Sequence, residues 1–140
     1  MSNPSPPSWR AIPLLMVTLA TGTVHAETWV ITDSAHPLTS VPTDVRVIKL
    51  DDQQRIEEQL SRKLPLDPHQ AALAARQLMG SPAGAALMHQ LATAQQGNAD
   101  AWSIGVSKVP AVVVDRRYVV YGQPDVTAAM QTINRARGRR

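Results

Sequence analysis

Ser34 and His36, two positions apart in the stretch Asp33-Ser34-Ala35-His36-Pro37, are the chain's candidate reactive groups, a hydroxyl and an imidazole. A hydroxyl becomes a nucleophile beside a base, and an imidazole exchanges protons near neutral pH, so either group at a helix N-terminus could serve acid–base or nucleophilic chemistry. Spacing assigns them no partner acid and no second histidine, and Asp33-Ser34 also reads as a turn or cap pair, so no catalytic residue is expected. His69 falls in the first turn of an expected helix and His89 among alanines and leucines of another, while His25 lies near the N-terminus. Without a His-x-x-x-His pair or a carboxylate cluster, no metal is expected. Cysteine is absent, which removes both the attacking thiolate and the resolving thiol that disulfide exchange requires. Trp102, Tyr118 and Tyr121 could form an aromatic platform, although such residues more often close the edge of a core.

The first 26 residues have the pattern of an export leader. Arg10 is their one charge, an apolar run from Ala11 to Thr21 follows, and Val24-His25-Ala26 puts small or apolar residues at −3 and −1 of a cleavage point. The run is shorter than the roughly 20 apolar residues that cross a bilayer. Cleavage is expected after Ala26, delivering a chain that begins at Glu27 to an oxidising compartment, the bacterial periplasm. Loss of Arg10 lowers the formal charge from +3 to +2, too mild and too dispersed for a nucleic-acid binder. The excess sits at the C-terminus in Arg135, Arg137, Arg139 and Arg140, where cations suit the end of a helix.

Residues 27–140 suffice for one domain with one core. The run Thr28 to Thr32 reads as a strand, broken at Asp33 to Pro37, and Val45 to Leu50 as a second. Asp51 and Asp52 open a helix with Ile56, Leu60 and Leu64 at helical spacing. Asp67-Pro68 and Ser81-Pro82 each pair an N-cap with a proline in the first turn, predicting two more helices. The first is expected to bury Ala72, Ala75, Leu78 and Met79 or their neighbours, and the second Leu87, Leu91 and Ala94, with Gly97-Asn98 ending or weakening it. Ala111-Val112-Val113-Val114 suits a strand covered on both faces, and a two-residue turn near Asp115 and Arg116 leads to a partner strand ending in Gly122. A last helix from Pro124-Asp125 turns Val126, Met130 and Ile133 inward.

The order is β, β, helices, β, β, α, with Val109-Pro110 at the entrance of the hairpin. It resembles a thioredoxin-like domain, in which that proline is cis and faces the active-site helix. The expected class is therefore α/β, a thioredoxin-like three-layer sandwich with a helical insertion before the cis-proline strand. The first two strands should pair in parallel, with the hairpin completing the sheet. The likeness would be full if the segment after the first strand held a short helix. The place of the missing Cys-x-x-Cys would then be Ser34 to Pro37.

Trp102-Ser103-Ile104-Gly105-Val106, Lys108 to Asp115, Tyr118-Val119-Val120-Tyr121-Gly122 and Asp125-Val126 resemble a family of small exported proteins encoded in integrating conjugative elements. They are also similar to the pilus-assembly TrbC proteins of F-type conjugation systems. The resemblance spans most of the chain after residue 26, with its sharp motif confined to residues 102–126. It implies membership of a type IV secretion apparatus for conjugative DNA transfer but no known activity; together with the missing cysteines, the expected role is a non-catalytic subunit that binds other exported subunits and reaches the membrane only through them. No cofactor and no direct nucleic acid are implied. The expected contact surface is Val109, Pro110, Ser107, Ser34, Ala35 and His36, with Trp102 if exposed. A periplasmic chaperone holding extended chains beside the proline is the alternative, and an enzyme using Ser34 or His36 a third reading.

Overall fold

A computed structural model describes residues 27–139. The expected leader lies outside them. Two strands, β1 (Thr28–Thr32) and β2 (Arg46–Lys49), are followed by three helices, α1 (Asp52–Lys63), α2 (Pro68–Met79) and α3 (Pro82–Ser103). The hairpin β3 (Ala111–Val114) and β4 (Tyr118–Tyr121) and the helix α4 (Val126–Arg137) complete the chain. The protein is thus mixed α/β, with four helices and one four-stranded sheet in the order β2-β1-β3-β4 among the described residues. β1 pairs in parallel with β2 and antiparallel with β3, which pairs antiparallel with β4.

Every residue of β1 and of β3 is buried, because both strands are central and both faces of the sheet are covered. The pleat divides their side chains between two cores. Trp29, Ile31, Ile48, Ala111 and Val113 meet Ala101 of α3 on one face. Val30, Val112 and Val114 meet Val126, Ala129 and Ile133 of α4 on the other. Full burial of such aliphatic side chains is worth about 1.5–3 kcal/mol each, so the paired strands dominate the stability.

Asp67, Ser81 and Asp125 each accept a hydrogen bond from a backbone N–H three residues on, the N-caps that the Asp-Pro, Ser-Pro and Pro-Asp signals predict. The α2 expectation resolves in part to neighbouring residues, and the expected end of α3 at Gly97 needs correction. In α2 the inward face carries Ala71, Ala74, Ala75 and Leu78, all half-buried, whereas Ala72 and Met79 are exposed. In α3 the helix runs through Gly97 without a break. A Cβ at Gly97 would stand 3.1 Å from Ile48 Cγ2, so the glycine lets α3 lie directly on β2. Close approach, not helix ending, is its use.

The segment between β1 and β2 contains no helix. Pro37 and Pro42 interrupt it, and it crosses the α4 face through turns and bends instead. Thr39 N–H donates to the Pro124 carbonyl at 2.9 Å, Val126 N–H donates back to the Thr39 carbonyl at 3.1 Å, and Leu38 and Val45 pack against the second core. The hairpin turn takes three residues, Asp115 to Arg117, and not the expected two, because Val114 pairs with Tyr118; Asp115 and Arg116 stand at φ 54° and 53°. That conformation costs an arginine about 1–2 kcal/mol. Here the Arg116 guanidinium lies 4.5 Å from the centre of the buried Trp29 ring, while Arg46 lies 4.9 Å from it. Cation–π attraction at such sites offsets much of the strain.

Candidate functional site

β1 leaves the sheet at Thr32 and β3 enters it at Ala111, and the pairing of Ile31 with Ala111 puts the segments beyond them at one end of the sheet. The first segment is the turn Asp33 to Pro37. Asp33 Oδ1 accepts from the backbone N–H groups of Ala35 and His36, both at 3.0 Å, and stands 2.6 Å from His36 Nδ1. Thr32, buried in the sheet, donates its hydroxyl to the His36 carbonyl at 2.7 Å. Ser34 N–H donates to Asp51 Oδ2 at 3.1 Å, fastening the turn to the residue that precedes α1. The Ser34 hydroxyl and N–H hold the Asp51 carboxyl below its ordinary range, against burial, which pushes it up. Asp51 Oδ1 is buried with no protein partner among the described residues.

His36 therefore has a partner acid that spacing alone did not assign. The Asp-x-x-His separation within a turn was the available signal, because a turn returns position i+3 to position i. The chemistry it offers is limited. Asp33 is engaged by two backbone donors, and Ser34 turns to Asp51, so no hydroxyl–imidazole–carboxylate relay assembles. Nor does the turn lead into a helix whose N-terminus could lower a pKa. No group of three or more His, Cys, Asp or Glu side chains is placed to hold a metal among the described residues.

The second segment runs from the end of α3 to Pro110. Ile104, Val106 and Val109 pack against the first core, so Ser107 and Lys108 between them project outward. The Val109–Pro110 bond is cis, and the ring is buried. The Pro110 carbonyl accepts from Gly122 N–H at 2.8 Å, with Gly122 at φ 73° where β4 ends. Six of the seven expected contact residues, Ser34, Ala35, His36, Ser107, Val109 and Pro110, thus fall on segments at the same end of the sheet.

Trp102 does not join them. It is 83% exposed, but Asp100 just before it pairs with Arg46, the first residue of β2, at 2.7 Å, so α3 ends toward the opposite end of the sheet. Gln96 and Arg46 hold the Asp100 carboxyl below its ordinary range. The aromatic platform does not form either, because Tyr118 packs on the α4 face. Arg137 is drawn inward from the basic C-terminus, pairing with Asp115 at 3.0 Å and lying 5.3 Å from the centre of the Tyr118 ring.

The family described as "Protein of unknown function (DUF1525)" matches residues 25–139. The chain belongs to that family. The match covers the whole sheet, both cores and both segments at the Pro110 end. No curated protein and no solved structure matches the chain. No helix among the described residues is long and apolar enough to cross a membrane.

A second concave region borders the same turn. The outer edge of β2 lies between a cleft of about 470 Å³ walled by α1 and α3 and another of about 550 Å³ beside Asp33 to Leu38. Val47, Lys49 and Arg55 line both. Reasoning from the chain alone missed this edge, since strand order decides which strand is left open and four residues do not encode it.

Proposed function

We propose that this protein is a non-catalytic, thioredoxin-like component of the type IV secretion apparatus that transfers the DNA of an integrating conjugative element. It is exported to the periplasm and acts by binding other exported subunits. The observation that supports the reading best is the meeting of the Thr32-to-Pro37 turn and the Ser107-to-Pro110 segment at one end of a β2-β1-β3-β4 sheet. A thioredoxin-like domain holds its partners at that end. One helix on one face, and a helical excursion between β2 and β3 on the other, agree with such a domain.

Two departures favour binding over chemistry. Cysteine is absent, and so is the helix between β1 and β2 whose N-terminus would activate a thiol. What remains is a turn knit by Asp33 and Asp51, beside an exposed Ser107-Lys108 stretch, a surface built for contact. The conjugative context rests on the likeness of residues 102–126 to exported proteins of such elements.

The test is affinity capture of the tagged protein from cells that carry the element. One defined exported subunit, recovered in constant proportion, is the expected result. A mixture of unfolded clients would replace the reading with that of a chaperone. Absence of any partner, with DNA transfer lost on changing Ser34 or His36, would replace it with an enzyme.

A further inference from the structure

We propose that the outer edge of β2 is a docking site for an extended, acidic segment of a partner protein, which adds to the sheet as a fifth strand. That the occupant is another protein rests on the binding role proposed above. β2 has one neighbour, β1, so its other side is open. Leu50 N–H donates to the Thr32 carbonyl at 2.9 Å, which fixes the alternation: Ile48 and Leu50 turn their backbone groups toward β1, and Val47 and Lys49 turn theirs outward. Neither residue's backbone has a partner on that side among the described residues. Two N–H and two carbonyl groups therefore stand ready for a ladder.

An open edge alone is common; here it has walls on both faces. On the α3 face the cleft is floored by Ile48, Ile56 and Ala94. On the α4 face the second is lined by Pro37, Leu38 and Val41, beside a Val47 side chain that is 40% exposed. Side chains of an added strand alternate between faces, so successive residues would enter the two clefts in turn, with main-chain bonds supplying affinity and the clefts selecting side chains.

Charge selects the occupant. Arg46 and Arg55 at the edge already pair with Asp100 and Asp52, while Lys49 has no ion pair among the described residues and lines both clefts. A carboxylate on the incoming strand would supply its partner. A second copy of this chain is disfavoured by the same charges. With the backbone groups of Val47 and Lys49 facing outward, the two-fold antiparallel register that pairs Val47 of one copy with Lys49 of the other would set the two Lys49 side chains diagonally across the ladder on one face, and like charges there destabilise it.

The probes are a short, capped peptide of alternating valine and glutamate and its valine–lysine counterpart, titrated into isotope-labelled protein. The glutamate peptide should shift the amide signals of Val47 and Lys49 and slow their hydrogen exchange, while the lysine peptide leaves both unchanged. Val47→Pro removes an outward N–H without touching the β1 ladder and should weaken the glutamate peptide about tenfold. Lys49→Glu should reverse the preference between the peptides, and it decides the matter alone if the proline variant does not fold. Equal response to both peptides, shifts confined to other strands, or a concentration-dependent dimer that blocks the edge would overturn the proposal. A partner captured from cells as readily by Val47→Pro and Lys49→Glu as by the parent would overturn the edge site and leave the proposed function standing.

Discussion

Replacing Gly97 with alanine probes the seat of α3 on the sheet, on which both the first core and the wall of the cleft between α1 and α3 depend. The new Cβ would meet Ile48 Cγ2 at 3.1 Å, Cγ1 at 3.8 Å and Cβ at 3.9 Å. Alanine gains about 1 kcal/mol over glycine inside a helix. Crowding a packed core costs about 1–3 kcal/mol. Gly97→Ala should therefore range from neutral to about 2 kcal/mol destabilising. Ile48→Ala alone should cost about 2–5 kcal/mol, as Ile48 is 4% exposed. In the double variant the two γ carbons that crowd the new methyl are gone, and the helix gain survives. Urea unfolding of all four proteins should show the pair less destabilised than the sum of the singles by about 1–3 kcal/mol. Strict additivity would mean that α3 does not rest on Ile48, and the cleft between α1 and α3 would lose its shape.

Three further outcomes are expected. A Cβ at Gly84 would fall 1.9 Å from the Leu78 carbonyl oxygen, so Gly84→Ala should cost about 1–3 kcal/mol in urea unfolding despite its helix preference; a neutral result would mean a looser α2–α3 reversal. The lowered Asp51 and Asp100 carboxyls stabilise the fold above their unfolded pKa and lose that contribution as pH falls through the lower folded values, so unfolding measured below about pH 4 should be less acid-sensitive in Asp51→Asn/Asp100→Asn; an unchanged slope would refute this assignment. Ser34→Ala and His36→Ala should leave DNA transfer and protein level nearly unchanged, since the Ser34 N–H and the Asp33 turn survive both; loss of transfer with normal accumulation would point to chemistry at the turn.

The hairpin was legible because Ala111 to Val114 is apolar at every position, as a strand buried on both faces must be, and because Asp115 tolerates a left-handed backbone. Caps at Asp67, Ser81 and Asp125 were legible for a similar reason: each is settled within three residues. Gly97 was not. Its local preference is to weaken a helix, and only contact with Ile48, 49 positions away in the chain, explains why it sits inside one. The missing helix before β2 could have been read from Pro37 and Pro42, but the hold of Thr39 on the start of α4 could not. At the site, the convergence of residues 33–37 and 107–110 follows from strand order and was expected. The Asp33–His36 pair, the Asp51 clamp and the open β2 edge depend on side-chain direction and sheet position, which no short motif specifies.

The central claim is that the end of the sheet carrying Ala35 and Ser107 binds a partner, and copurification tests it most directly. Ala35 and Ser107 are both exposed, so bulky or charged replacements there should leave the fold intact. Tagged parent, Ala35→Arg, Ser107→Arg and a charge-neutral variant of the C-terminal arginines Arg137, Arg139 and Arg140 would be captured from cells carrying the element, and the partner bound to each quantified. The account predicts loss of the partner from Ala35→Arg and Ser107→Arg and its retention by the C-terminal variant. Retention by the first two with loss from the last would contradict it and make the basic C-terminus the working surface.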